Sequence, residues 1–214
     1  MSASRPLRLP LAVVSDELSS DLETACELAA ELGIGLVEIR GIGSERFPRV
    51  ASYWKARLSD YLAQFGLQVI SLSPGLFKIP LAPSQEPRWP DRGLRWRDWE
   101  RHISWARERA LLEEHLGPLL EESLDWAVRL GCRFLSCFSF LRPPEATGAP
   151  CPELVYEVLG RAAERAAAAG VMLLLENEQV CWGDTGAAVA AILRQVGHSN
   201  LGLLWDPREC LHSG

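Results

Sequence analysis

Lysine is nearly missing from this sequence: Lys55 and Lys78 are the two lysines among 22 basic residues, the rest being arginine. Residues so scarce are poorly explained as surface decoration, and each is a candidate for a specific task. No apolar run approaches the about 20 residues that a membrane-spanning helix requires, so no membrane partner is expected. The opening MSASRPLRLPLAVV has too short an apolar core, interrupted by proline, for a secretory signal, and a cytoplasmic location is the expectation. No CxxC pair occurs among the six cysteines, Cys26, Cys132, Cys137, Cys151, Cys181 and Cys210. They read as small buried hydrophobes of a reducing compartment, which argues against a cysteine-built zinc centre. An excess of positive charge is lacking as well. The net charge of −6 argues against a general polyanion binder, and no nucleic-acid partner is expected.

What is present is ordinary in bulk and regular in pattern. With 214 residues, 48% hydrophobic and 23% charged, the chain can bury a substantial core. LETACELAAELGIGLVEIR joins an amphipathic helical pattern to a β-rich run through Gly33, where a helix would end in a left-handed turn. The unit recurs around Gly66 in WKARLSDYLAQFGLQVISLS, Gly131 in LLEESLDWAVRLGCRFLSCFSF and Gly170 in VLGRAAERAAAAGVMLLLENE. PLAVVS adds an opening strand, and TGAAVAAILRQVGHSNLGLLWD a further helix and strand. Six strands are therefore expected near residues 11–14, 35–40, 67–72, 133–138, 171–175 and 201–205. Alternation with helices predicts a parallel sheet with right-handed crossovers, and runs such as VMLLL fit strands covered on both faces.

A doubly wound open sheet and a (β/α)8 barrel both satisfy this pattern. An open sheet often carries a glycine-rich phosphate loop after its first strand, but VVSDELSSD contains no glycine, so neither a dinucleotide fingerprint nor a Walker loop is present. Barrel enzymes draw functional residues from the C-terminal ends of several strands. Here those ends carry Asp16, Glu38 with Arg40, Ser73 followed by Lys78, Ser139, Glu176 to Glu178, and Asp206. The barrel is the favoured architecture, as one domain over residues 1–214. Eight βα units take about 250 residues, so with six legible the expectation is that strands 7 and 8 are missing.

Glu176 and Asp206 end neighbouring strands, and like charges packed together need a cation or a shared proton. A divalent metal is the usual solution, oxygen donors favouring magnesium or manganese and any added imidazole widening the choice. Helix capping is the competing explanation for an acid in such a place. Glu38 and Arg40, two apart on one strand, point to the same side; either they form an ion pair at the mouth or Arg40 binds substrate. Trp182 and Trp205 flank the proposed metal site and suit either an apolar wall against a substrate or plain packing. His102 and His115 fall in a helical stretch and read as surface residues. QEPRWPDRGLRWRDWERHISWARER, within an Arg/Trp-rich insertion at about 82–120, reads as a loop or lid over the mouth that turns helical after Asp98.

SDELSSDLETACELAAELGIGLVEIRGIG, FGLQVISLSPGLFK, FSFLRP, LLLENE and LGLLWDP, in that order, resemble the xylose isomerase-like TIM barrel family of sugar phosphate isomerases and epimerases. The resemblance implies a divalent metal (Mn, Mg, Co or Zn) held by a Glu, an Asp, a His and a Glu after barrel strands five to eight. The first two fall on Glu176 and Asp206; His212 lies too near Asp206 to be the third. It implies that Glu176 is both ligand and one acid/base, with the Glu after strand eight as its partner and a sugar or sugar phosphate as substrate. Lys78 matches a position near the pocket, and Glu178 and Trp182 follow the metal-bearing strand as further substrate contacts. The abasic-site endonucleases of the same superfamily need a histidine-rich trinuclear cluster, which four scattered histidines do not supply. The alternative from another class is a noncatalytic truncated barrel, a binding module or gene fragment, whose open sheet edges would invite association into a homo-oligomer.

Overall fold

The computed structural model describes residues 9–81, 85–88, 90, 93 and 95–210. Strand β1 (Ala12–Val14) runs into the short α1 (Ser15–Leu18), followed by α2 (Leu22–Glu31) and β2 (Leu36–Ile39). A small antiparallel hairpin, β3 (Gly41–Ile42) and β4 (Glu45–Arg46), precedes α3 (Ser52–Gln64) and β5 (Gln68–Leu76). The long α4 (Trp96–Glu114) passes through an irregular turn at His115–Leu119 into α5 (Leu120–Arg129) and β6 (Phe134–Cys137). Then come α6 (Glu153–Ala168), β7 (Met172–Glu176), α7 (Gly186–Val196), β8 (Leu201–Leu204) and α8 (Pro207–Cys210).

Six strands form one sheet in the order β1-β2-β5-β6-β7-β8, every neighbouring pair parallel. This is the α/β architecture of a TIM barrel wall, each strand beside the one that follows it in the repeat. Local signals account for the elements. Asp21 caps α2 by accepting the Thr24 N–H at 2.9 Å, and Thr185 caps α7 by accepting the Ala188 N–H at 3.1 Å. Between α6 and β7 the chain reverses through Gly170 at φ +71°, a conformation that costs other residues.

Side chains alternate between the two faces of each strand. On β7, Leu173 and Leu175 are fully buried and join Ala162, Ala163 and Ala166 of α6 in the core, whereas Met172, Leu174 and Glu176 are half-buried on the other face. The same division holds on β2, where Val37 and Ile39 are buried and Leu36 and Glu38 half-buried. The second face lines a cavity of about 370 Å³ bounded by Val14, Glu38, Ser71, Ser136, Leu174 and Leu204.

Three differences from the sequence-based expectation have physical reasons. β5 extends beyond residue 72 to Leu76, its register with β6 shifting between Leu72 and Leu76, so the run through Pro74 and Gly75 stays in the sheet irregularly. The β3–β4 hairpin, with only two residues per strand, is too short to leave a periodic pattern. The 82–120 stretch is mostly helix from Trp96 onward; Pro118 interrupts it at the irregular turn, and residues 82–84, 89, 91, 92 and 94 lie outside the described residues. Among the described residues no helix is long and apolar enough to cross a membrane.

Candidate active site

The parallel register sets Glu176 opposite Leu204, so Asp206, two residues past Leu204, follows on the same side at the same end. Asn177 fastens this arrangement. It is fully buried, its Nδ2 donates to the Asp206 carbonyl at 2.8 Å, and its Oδ1 accepts the Asp206 N–H at 2.8 Å. A side-chain amide that satisfies both backbone groups of one residue sets where that residue leaves the sheet. Asp206 Oδ1 also accepts the Arg208 N–H at 2.8 Å, as a capping acid does at the start of α8.

Around Glu176 the charge balance is unfavourable to a second negative charge. Burial, then Glu38, Asp206 and Glu178, push its carboxyl up from the usual glutamate range to about 7, and Lys78 opposes the rise. Glu38 is oriented by Ser71, its neighbour in register, whose hydroxyl donates to it. Lys78 is ion-paired with Glu178 and lies 4.8 Å from the centroid of the Phe138 ring. Lys78→Met is expected to move the Glu176 titration to higher pH and to leave the half-buried Glu178 without this partner. The stability cost is about 1–3 kcal/mol, measurable by urea unfolding at pH 7.

Several residues stand differently from the sequence-based expectation. Arg40 does not pair with Glu38: it lies just past the end of β2, where its Nε donates to Asp16 at 3.0 and 3.1 Å and its Nη1 to Glu17 at 3.2 Å. Trp182 is 9% exposed and belongs to the hydrophobic core, while Trp205 is 60% exposed. His102 is buried, not at the surface, and the half-buried His115 accepts the Phe77 N–H on Nδ1 at 2.9 Å. Burial holds the His115 pKa down, which preserves the neutral ring that this bond requires. Phe77 (φ +62°) stacks on Phe140 (φ +64°) with centroids 5.3 Å apart, so two non-glycine residues in left-handed conformations support the Lys78 loop. His212 lies outside the described residues.

Sequence reasoning missed Arg46, which the β3–β4 hairpin brings beside β5 and into the field of Glu38 and Glu176. Its only signal was an arginine in GIGSERFPR soon after a strand end. Among the described residues no three His, Cys, Asp or Glu side chains gather closely enough to hold a metal ion. Glu176 and Asp206 are hard oxygen donors of the kind magnesium and manganese take, so their chemistry fits such an ion, for which the two would be part of a coordination shell. Among the described residues cysteine contributes no ligand set: Cys137 and Cys181 are fully buried, and burial raises both thiols, Cys181 to about 12.

A parallel α/β barrel wall with acids collected at the C-terminal strand ends is the form of a TIM-barrel enzyme site. Residues 26–214 match the xylose isomerase-like TIM barrel family, and the chain belongs to it. No match was found among curated protein sequences. Among solved structures, the chain resembles D-allulose 3-epimerase from Methylomonas sp. in complex with D-allulose, at 19% identity and TM-score 0.60, over 98% of this chain and 66% of that one. It resembles a xylose isomerase-like TIM barrel protein from Mycobacterium smegmatis in complex with magnesium, at 14% identity and TM-score 0.61, over 91% and 63%. An AP endonuclease of family 2 from Brucella melitensis is similar at 21% identity and TM-score 0.61, over 96% and 72%. The chain thus spans just under two thirds of the first two, and at these identities the likeness is one of fold.

Proposed function

We propose that this protein is a metal-dependent isomerase or epimerase of a sugar or sugar phosphate, residues 1–214 acting as one cytoplasmic barrel domain. The observation that carries the reading is Glu176, a half-buried carboxyl at a strand end raised to about 7 by burial and its acidic neighbours. A carboxyl so crowded by acids in the metal-free chain is one whose anion a bound cation would stabilise, and a carboxylate so placed is suited to proton transfer with a substrate. Glu176 and Asp206 would hold the divalent ion (Mn, Mg, Co or Zn), whose charge, when bound, polarises the carbonyl and adjacent hydroxyl oxygens of the substrate. Glu176 takes the proton from the carbon beside the carbonyl and, for isomerisation, returns it to the neighbouring atom; for epimerisation a second acid/base, the Glu after barrel strand eight that the resemblance implies, would deliver a proton to the opposite face. Lys78 favours the ionised form of Glu176 that begins the reaction and, with Glu178, meets substrate hydroxyls. Glu38, held by Ser71, adds negative charge that keeps Glu176 basic.

A second reading, a noncatalytic binding module, draws on the absence of a three-residue metal cluster among the described residues and on the sheet edges at β1 and β8. One experiment separates the two. The chain is incubated in D2O with manganese and a panel of ketoses and ketose phosphates, and deuterium incorporation is followed by NMR. The enzyme reading expects incorporation at the carbon next to the carbonyl of at least one sugar. No incorporation at any carbon, by a folded chain that binds manganese, contradicts it and favours the binding module.

A further inference from the structure

Most cations of the rim are held in close ion pairs. Arg40 is matched by Asp16 and Glu17, Lys78 by Glu178, and Arg142 by Asp184 at 2.8 Å. Arg46 differs: no carboxylate of the described residues lies within 4.0 Å of its guanidinium. Asp16, Glu38 and Glu176 act on it only from farther away, while Arg40 repels it.

The backbone that carries Arg46 is held on all sides. The Arg46 carbonyl accepts the Arg49 N–H at 2.8 Å, and the next residue, Phe47, donates its N–H to the Arg40 carbonyl at 3.0 Å. Glu45 accepts the Ala51 N–H at 3.1 Å, and Arg46 pairs in register with Gly41 across the hairpin. From this base the side chain lies against Gly75 of β5. A methyl group at Gly75 would stand 2.6 Å from Arg46 Nη1 and 3.1 Å from its Cδ, so the bare backbone leaves the room that the guanidinium uses. Its stem is thereby packed, yet more than a third of the residue stays open to solvent. Burial lowers its pKa first and Arg40 second, while Asp16, Glu176 and Glu38 oppose the fall from farther away. A guanidinium so placed offers a planar fork of donors suited to two oxygens of one anion.

We propose that Arg46 anchors a terminal oxyanion of the substrate while Glu176 works at its other end, so that the substrate is an anionic sugar, a phosphate ester or a sugar acid. This rests on the isomerase or epimerase reading and narrows it. An anion at Arg46 would give this guanidinium the close partner that the other rim cations have, and a neutral sugar would leave the fork facing water. Fixing one end of a flexible chain at a preset distance from the base also limits which carbon reaches Glu176.

The test uses the whole chain and three matched probes, glycerol 3-phosphate, D-glycerate and glycerol, titrated by calorimetry at low ionic strength into the wild type, Arg46→Gln and Arg46→Lys. Both anions, or one of them, are expected to bind and glycerol is not. Arg46→Gln should weaken anion binding about tenfold or more, and Arg46→Lys, which keeps the charge and loses the fork, by at least about threefold. Tighter binding of glycerol 3-phosphate assigns a sugar phosphate; tighter binding of glycerate assigns a sugar acid. The proposal is overturned if the wild type binds neither anion, or if folded Arg46→Gln or Arg46→Lys binds them as well as the wild type does. Binding is read without turnover, so the two readings fail separately. Arg46-dependent anion binding without deuterium exchange defeats the isomerase reading alone, whereas exchange on neutral ketoses without anion binding defeats the anchor alone.

Discussion

Glu176→Gln is expected to slow proton exchange at the substrate carbon by about a hundredfold to ten-thousandfold, the range for loss of a positioned acid/base. The same substitution is expected to make the metal-free protein more stable at pH 8. The folded chain raises the Glu176 carboxyl to about 7 from an ordinary value of 4.5, so between those values the folded state holds a proton that the unfolded chain has released. The stability contributed by Glu176 is therefore full below about pH 4.5 and is lost as pH rises through about 7. A neutral glutamine carries no such dependence. The melting temperature of Glu176→Gln should exceed that of the wild type by about 2–6 °C at pH 8, with the difference shrinking as pH falls toward 4.5. Saturating manganese should reverse the order, because the ion stabilises the chain that binds it more tightly. A gain in stability joined to a loss of exchange identifies a residue kept for chemistry; a loss of both would mark Glu176 as structural.

The second large effect is expected at Asn177, the residue that follows Glu176 in the chain. Asn177→Ala removes both hydrogen bonds to the Asp206 backbone and leaves a half-buried N–H and a half-buried carbonyl without those partners. The cost is about 3 kcal/mol, or about 6–12 °C in melting temperature for a chain of this size. Because the clasp also fixes where Asp206 leaves β8, manganese affinity should fall about tenfold or more although no proposed ligand has been changed. Calorimetric melting and manganese titration of the same preparation check both parts. A variant that melts within about 2 °C of the wild type and binds manganese equally well would show that Asn177 fastens nothing of consequence.

The helix, glycine, strand repeat made the sheet legible, because the change of period at Gly33, Gly66, Gly131 and Gly170 is a local signal that tertiary packing did not need to override. The strand-end position of Glu176 was legible for a related reason: VMLLL announces burial on both faces, and a carboxylate directly after it has to meet the rim. Partnerships across the rim were not legible. Arg40 sits two residues from Glu38 in the chain, yet it reaches Asp16, because parallel pairing brings the end of β1 beside the end of β2. Asn177 stood in view between two glutamates, but its bonds to a residue 29 positions later depend on the register of β7 and β8. Arg46 was hidden by the brevity of its hairpin, and His115 by a helical pattern that conveyed its periodicity and not its contact with Phe77.

The central claim is that the fold holds one carboxyl near neutrality at the mouth of the barrel. A direct measurement is carbon-13 NMR titration of the metal-free chain labelled at glutamate Cδ, with Glu176→Gln supplying the assignment. The expected result is one resonance, missing in the variant, that titrates near pH 7. A Glu176 resonance that titrates where a model-peptide glutamate does, at about 4.3, would contradict the claim.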